Sequence, residues 1–411
     1  MAGSRNGPSV APAKITVVIP TRERHEVLEK ALQTVVDQDY GDLEIVVSDN
    51  FGSDATADVV RGIGDKRIRY LNTGRRLSMA HNWEFALSHV TQGWVTVMGD
   101  DDGLLPGSVR KVADIVAHDT LEAVRSAVCA YSWPSLLGRA HGHLVVPLRS
   151  GSELRDAKRW LAKALRGAAG YADLPMLYTG GYVHSRVLER IKKVTGAIYR
   201  SRVPDVYSAV AIASCVDRYL YLHEPLGING ASRHSTGTSL FETNAPSSPA
   251  QLFASESTIP FHPHFPPAPG GGPPRSFQAL VYESYLQSAP LRSEASRDLR
   301  SEQLELILAA ASGADVEPVV EWGRSFAALH GLDFGAAQAK AAARRRLNQP
   351  KRFLERLEAY LNSYTLRETD PPVHDVHEAA VAAAAIYAAR PSRLGKIAAL
   401  VPRLVKGTFA R

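Results

Sequence analysis

The sequence predicts an α/β fold with a parallel sheet, followed by a mostly helical region, and three observations predict it. β-branched runs ending at polar turns recur through the first hundred residues. Segments with a helical apolar period fill the gaps between them. After Arg275 the strand pattern gives way to a composition dominated by Ala, Leu, Glu and Arg.

The elements follow in order. Residues 1–13 are rich in Gly, Pro and Ser and lack a hydrophobic segment, so they are expected to be a disordered leader and not a secretory signal. Ile15–Ile19 is a buried strand ending at Pro20. His25–Gln38 is a helix, with Val27, Leu28, Ala31, Leu32, Val35 and Val36 on one period. Leu43–Val47 is a second buried strand, stopped by Ser48-Asp49-Asn50. Asp54–Ile63 is a helix capped by Ser53 or Asp54. Arg67–Leu71 is a third strand, Ser78–Val90 a helix and Trp94–Met98 a fourth strand. From Ala123 the pattern is mixed: strands at Ala127–Trp133, His143–Leu148 and Tyr219–Leu222, and helices at Glu153–Leu165, Ser185–Val194 and Pro204–Ser214. Residues 14–242 are expected to form one α/β domain and 243–274 a Pro/Gly-rich linker or loop. Residues 275–411 are expected to form a helical domain with breaks near Gly313, Gly331, Pro350 and 371–372.

Composition bounds the function. With 45% hydrophobic and 22% charged residues, the chain is not wholly disordered. A net charge of +6 spread over 411 residues is no nucleic-acid signature, though it suits an anionic ligand. Two cysteines, Cys129 and Cys215, exclude a disulfide scaffold and a four-cysteine zinc site, and read as reduced thiols in a cytoplasmic protein. The longest apolar run, Ala379–Ala389, falls short of the roughly 20 residues a spanning helix needs.

Ligands of parallel α/β sheets bind at the carboxyl ends of the strands, which directs attention to 20–24, 48–53, 72–78 and 99–103. The strongest feature there is Gly99-Asp100-Asp101-Asp102-Gly103, directly after an apolar strand. Three adjacent carboxylates repel one another, and a hard cation such as Mg²⁺ or Mn²⁺ supplies the counter-charge. The competing reading is a solvated acidic turn. Asp49-Asn50 suits a hydrogen-bond acceptor for a base or ribose, or a capping turn. Arg22 and Arg24 suit phosphate, as other surface arginines would.

These segments resemble glycosyltransferase family 2 on its GT-A fold. The resemblance rests on Val17-Val18-Ile19-Pro20-Thr21-Arg22, Ile45-Val46-Val47-Ser48-Asp49-Asn50, Ser78-Met79-Ala80-His81-Asn82-Trp83, Gly93-Trp94-Val95, Gly99-Asp100-Asp101-Asp102 and Leu105-Pro106. It covers roughly Ile15–Gly237, and no family match is seen after Arg275. The fold it implies is a Rossmann-like mixed sheet flanked by helices.

The resemblance implies transfer of a sugar from a nucleotide diphosphate donor, with uridine the expected base and inversion at the anomeric carbon. It places Pro20, Thr21 and Arg22 beside the nucleotide and Asp49 on the nucleobase. The acidic cluster stands for the DXD motif that holds Mn²⁺ or Mg²⁺. Counting back from Pro106 puts Asp101 on the metal; reading Asp100-Asp101-Asp102 as the motif puts Asp102 there, with Asp100 towards the ribose. Inversion needs one general base. Asp205, opening a helix, is the candidate, with Pro204 standing where the family often has Glu, and Asp173 is the reserve. In the late loop 230–237, His234 is a further metal candidate and Arg233 a charge for the leaving group. Tyr178, Gly180 and Gly181 are expected to line the donor or acceptor pocket, with Arg76 near the diphosphate.

The expected acceptor is a glycan, a lipid-linked saccharide or a small molecule, with no nucleic acid. Arg344-Arg345-Arg346 with Lys351-Arg352 reads as a solvated helix face, with peripheral contact to an anionic membrane as the alternative. The helical C-terminal domain is also the place where homo-oligomerisation would occur. His374 and His377 lack further ligands nearby for a metal site. Two other functions share an acidic sheet edge: a nucleotidyltransferase, which would carry a glycine-rich loop that 20–24 lacks, and a non-catalytic sugar-nucleotide or glycan-binding protein.

Overall fold

The structure, a computed structural model, describes residues 12–117, 120–135, 142–233, 235, 253, 255–292, 298–366 and 373–390. At its centre lies β1 (Ile15–Thr21), buried along its whole length. The strand's period of two divides its side chains: Val18 faces one core, while Ile15, Val17 and Ile19 face the other. β2 (Leu43–Asp49) pairs parallel with β1, with Thr21 opposite Asp49, and β3 (Ile68–Asn72) continues parallel beyond it. β4 (Trp94–Val97) pairs parallel on the other side of β1. The crossovers are α1 (His25–Val36), α2 (Asp54–Ile63) and α3 (Met79–Leu87). The Ser78 hydroxyl caps α3 by accepting from the His81 N–H.

Past β4 the sheet becomes mixed. A two-residue β5 (Gly103–Leu104) and α4 (Ser108–Ala117) lead to β6 (Ala123–Ser132) and β7 (Leu144–Pro147). Then come β8 (Ser152–Asp156), α5 (Ala157–Leu165), β9 (Gly181–His184), α6 (Ser185–Thr195), α7 (Pro204–Cys215) and β10 (Arg218–Ala231). The helical region holds α8 (Phe277–Gln287), α9 (Arg300–Ala310), α10 (Val316–His330), α11 (Phe334–Leu361) and α12 (Val376–Ala389), with β11 (Ser363–Leu366) between the last two. The main sheet runs β11-β7-β6-β9-β4-β1-β2-β3; β10 lies parallel beside β6 and takes β5 and β8 antiparallel. The expected α/β class, mixed sheet and helical C-terminal region are all present.

Several local expectations are corrected. Glu153–Leu165 is not one helix: β8 pairs with β10, and the Asp156 side chain then caps α5. Tyr219–Leu222 is the start of a strand of 14 residues, which absorbs Pro225 and Gly227 through register shifts against β6. Pro350 does not break α11, whose helical backbone runs from Phe334 to Leu361.

The two sheet faces carry different helices. On one face α3 and α5–α7 join α8–α10, with Trp322 fully buried; Phe265, 2% exposed and from the segment expected as a linker, packs on it at 5.1 Å. On the other face α1 and α4 join α12. There His377 Nε2 lies 2.7 Å from Asp37 Oδ2, and the Tyr131 hydroxyl donates to the Val373 carbonyl at 3.0 Å. Each fully buried Val, Leu or Ile contributes roughly 1.5–3 kcal/mol. In the basic cluster, Arg344 and Arg345 donate to the carbonyls of Arg166 and Leu308, so these two guanidinium groups brace the fold. Among the described residues no helix is long and apolar enough to cross a membrane.

Candidate active site

The carboxyl ends of β1, β2 and β4 meet at one edge, and the acidic turn 100–102 lies there. Its three carboxylates point three ways. Asp100 accepts from the Thr21 hydroxyl at 2.7 Å and from Arg24 Nη1 at 3.0 Å. Burial raises its carboxyl above the usual range, and the Arg24 charge opposes this. Asp102 is fully buried. Its Oδ1 accepts from the Gly230 N–H at 2.7 Å; its Oδ2 accepts from the Gly99 N–H at 3.0 Å and from the Thr179 hydroxyl. Burial, then the charge of Asp101, pushes its carboxyl up to about 7. Expected as a metal ligand, Asp102 has both oxygens engaged by protein donors instead.

Asp101 is the carboxylate of a different kind. Its Oδ2 accepts from the Ser232 and Ser235 hydroxyls at 2.7 and 2.5 Å, and the Trp133 indole N–H donates to its backbone carbonyl at 2.8 Å. Hydroxyls rotate and can accept as well as donate. A carboxylate with two hydroxyls is an all-oxygen donor set, which suits a hard divalent cation that takes one or two protein carboxylates and completes its shell from phosphate and water. Among the described residues no three His, Cys, Asp or Glu side chains gather into a metal cluster. His234 lies outside the described residues.

The residues expected around the nucleotide are partly engaged with one another. Pro20 sits in β1 opposite Ser48. Asp49 is fully buried: its Oδ1 accepts from the Gly52 N–H at 2.9 Å, and its Oδ2 from the Tyr70 hydroxyl at 2.7 Å and Asn72 Nδ2 at 3.4 Å. Asn50 clamps the following loop by donating to the Leu77 carbonyl and accepting from the Leu77 N–H. Arg22 and Arg76 come together on one carboxylate: Glu256 accepts from Arg22 Nη1 at 2.6 Å and pairs with Arg76 Nη2 at 2.7 Å. Arg233 points to Glu26 at 3.4 Å on the surface.

Tyr178 lies against the acidic turn. Its hydroxyl is hydrogen-bonded to Asp102, and burial, then the Asp102 charge, raises it well above the usual tyrosine range, with Asp101 and Asp205 adding to the effect. Trp83 stacks on its ring at 5.6 Å and meets Tyr199 edge-on at 5.9 Å. Gly180 and Gly181 hold this loop against β6 rather than opening a pocket. A Cβ on Gly181 would lie 1.9 Å from the Met176 carbonyl oxygen, and one on Gly180, at φ +81, would lie 2.5 Å from Val128.

Asp205 opens α7 behind Pro204 and keeps partial access to solvent. Burial raises its carboxyl; the N–H groups of Val206 and Asp205 and the Tyr171 hydroxyl, 3.4 Å away, oppose the rise. Asp173, the reserve, accepts from the Gly170 N–H at 3.0 Å and faces Arg155 at 3.7 Å, so it braces its own turn. Sequence reading missed Thr179, Ser232, Ser235, Tyr171 and Glu256 as partners of the site. Each is far in sequence from the group it meets, and of the five only Ser232 and Ser235 flank basic residues. The Ser232-Arg233-His234-Ser235 run was the one signal, and the serines, not its basic residues, reach Asp101.

Residues 16–166 match the family model of glycosyl transferase family 2. The chain is similar to GalNAc(5)-diNAcBac-PP-undecaprenol beta-1,3-glucosyltransferase of Campylobacter jejuni, 39% identical over 99 residues, which are 23% of this chain and 32% of that protein. It is also similar to an uncharacterized protein of Mycobacterium tuberculosis, 31% identical over 107 residues, 26% of this chain and 34% of the other. The chain thus spans about a third of the length of these relatives. Among solved structures it resembles S. aureus TarS in complex with UDP-GlcNAc, with a TM-score of 0.45 and 13% identity over 81% of this chain and 89% of that one. It also resembles the mannosyltransferase PcManGT from Pyrobaculum calidifontis in complex with GDP-Man and Mn2+, with a TM-score of 0.36 and 17% identity over 83% and 90% of the two chains. The motifs gathered at this sheet edge lie inside the matched segment, so residues 16–166 are the part of the chain that is similar to glycosyl transferase family 2.

Proposed function

We propose that the chain is an inverting glycosyltransferase, moving a sugar from a nucleoside diphosphate sugar, with uridine as the base, to an acceptor hydroxyl. The observation that carries this reading is the unequal engagement of the acidic turn. Asp100 and Asp102 are tied to protein donors, while among the described residues the carboxylate of Asp101 is held by the rotatable hydroxyls of Ser232 and Ser235, and Tyr178 is hydrogen-bonded to Asp102. Asp205 takes the proton from the acceptor hydroxyl as its oxygen bonds to the anomeric carbon and the bond to the diphosphate breaks. One base suffices for such a displacement, and a raised carboxyl is a better proton acceptor than an ordinary one. Arg22 and Arg76, a pair already spaced to grip one carboxylate, orient the diphosphate. Asp101, with the Ser232 and Ser235 hydroxyls beside it, would hold Mg²⁺ or Mn²⁺, which would supply charge neutralisation for the leaving diphosphate. The acceptor is a glycan, a lipid-linked saccharide or a small molecule.

The test is a panel of nucleotide sugars assayed for binding and hydrolysis with Mn²⁺ and with EDTA. Binding that needs the metal and is lost in Asp101→Ala supports the reading. A protein that binds no nucleotide sugar would sink it. Hydrolysis to nucleoside monophosphate instead of diphosphate would favour the nucleotidyltransferase alternative, and binding without turnover, indifferent to Asp205→Asn, the non-catalytic one.

A further inference from the structure

We propose that Phe51 is the surface on which the donor's nucleobase stacks; the inference rests on the nucleotide-sugar reading above. Among the described residues only three without a glycine's freedom take a positive φ: Glu23 at 54°, Phe51 at 55° and Arg390 at 43°. The first two belong to facing loops at the carboxyl ends of β1 and β2. A left-handed backbone is unfavourable for any residue with a Cβ, and for a bulky one it is an outlier that the surroundings must enforce.

The enforcement is visible. Glu23 accepts from the Ser53 N–H at 2.7 Å and from the Ser53 hydroxyl at 3.0 Å. The Asn50 N–H donates to the Thr21 carbonyl at 2.9 Å. Asp49 receives the Gly52 N–H, and a Cβ on Gly52 would lie 2.8 Å from Asp49 Oδ1, so a larger residue there would push that carboxylate out of place. Two loops and a buried carboxylate thus fix one conformation, and its result is a phenyl ring 57% exposed. Ordinary folding accounts for neither feature, because the ring buries little and the backbone conformation is unfavourable. Such residues persist where the strain serves a ligand.

The location says which ligand. Asp49, expected on the nucleobase, has both oxygens occupied by its own loop and the β3 side chains, so it is a positioning residue for the turn that carries Phe51. Arg22, next to Glu23 in the facing loop, is paired through Glu256 with Arg76, a cationic pair suited to phosphate. A flat apolar ring at the same edge suits the part of a nucleotide that phosphate-binding groups cannot hold. Aromatic side chains stack on any base, so the ring supplies affinity and Asp49 supplies its placement.

The experiment uses the full chain with Mn²⁺ and calorimetric titration against UDP, GDP, ADP and CDP, carrying forward the tightest. Phe51→Ala is expected to weaken that nucleotide roughly 10-fold or more, with inorganic pyrophosphate binding unchanged and Phe51→Trp restoring the nucleotide. Phe51→Gly is expected to melt at or above the wild-type temperature while binding as weakly as Phe51→Ala, since glycine accepts φ +55 freely. Unchanged nucleotide affinity in Phe51→Ala, equal losses for pyrophosphate, or a Phe51→Gly protein that is less stable would each overturn the assignment while leaving the donor reading standing. A wild-type protein that binds none of the four would overturn both.

Discussion

Replacing Asp102 by asparagine tests whether the acidic turn divides its labour as the hydrogen bonds indicate. The side chain keeps its shape and its Oδ1, so the Gly230 N–H retains its acceptor. The amide nitrogen takes the place of Oδ2, where the Gly99 N–H now points at a donor. The Thr179 hydroxyl can turn and accept, so one buried N–H is left unsatisfied. That costs about 1–3 kcal/mol, with about 2 the central expectation. For a cooperative unit of this size the melting temperature falls by roughly 4–8 °C. The measurement belongs at pH 6, below the value of about 7 to which burial pushes this carboxyl, so that wild type and variant are both uncharged there. A carboxyl raised above its unfolded value contributes stability that is whole at low pH and is lost as pH climbs through that value. The asparagine does not titrate, so the gap should narrow by pH 8. Asp101→Asn is the control: the partners of its Oδ2 among the described residues are the rotatable hydroxyls of Ser232 and Ser235, so its cost should stay below about 0.5 kcal/mol while metal-dependent nucleotide binding is lost. Calorimetric melts of both variants without metal decide it. Equal stability losses, or a stable Asp102→Asn that loses only metal binding, would refute the division.

Asp205→Asn should lower turnover by about 10²–10⁴ with donor affinity unchanged. Because the wild-type carboxyl is raised, kcat/KM should climb with pH along an acid limb above the ordinary carboxylate range, and a limb at the usual aspartate value would count against the base assignment. Glu256→Gln should tighten nucleoside diphosphate binding, because it removes a carboxylate that competes with phosphate for Arg22 and Arg76; weaker binding in titration calorimetry would show that Glu256 instead helps hold the ligand. Gly181→Ala should destabilise by about 1–3 kcal/mol or fail to fold, since its Cβ would lie 1.9 Å from a backbone oxygen, and an unchanged melting curve would contradict the packing of this loop.

What was legible in the sequence follows from locality. β1, β2 and β4 are buried at nearly every residue, so each reads as a mainly apolar, β-branched run, and α2 is legible with the bounds it has because Ser53 and the Gly64 stop lie next to it. β8 was hidden because Ser-Glu-Leu-Arg-Asp is mostly exposed and is a strand only through pairing with β10, more than 60 residues away. β11 was hidden likewise, as four residues after a helix of 28 that pair with β7. At the site, the acidic turn announced itself by charge, but the partner of each carboxylate did not. Asp100 meets Thr21 across 79 residues and Asp102 meets Gly230 across 128, distances over which no spacing rule operates. Asp49 and Asp102 were expected to face ligands because their residue type suits that role. Burial gave their oxygens to neighbouring N–H and O–H groups instead, since a buried carboxylate without donors is costly.

The return of β11 and α12 to the first half of the chain has a consequence for biosynthesis. α12 packs on α1, and His377 meets Asp37 across 340 residues of sequence. At the roughly 5–20 residues per second of translation, the nascent N-terminal sheet waits about 20–70 s for the helix that covers it. Until then Val27, Leu28 and the apolar face beneath them lack part of their cover, and the β7 edge has no neighbour on its outer side. An exposed sheet edge and an apolar face are the surfaces that pair wrongly with other chains. Slower initiation, a lower growth temperature or a holdase present during synthesis should therefore raise the soluble yield. Cutting the chain before β11 should lower it, even though residues 16–166 carry the family's motifs.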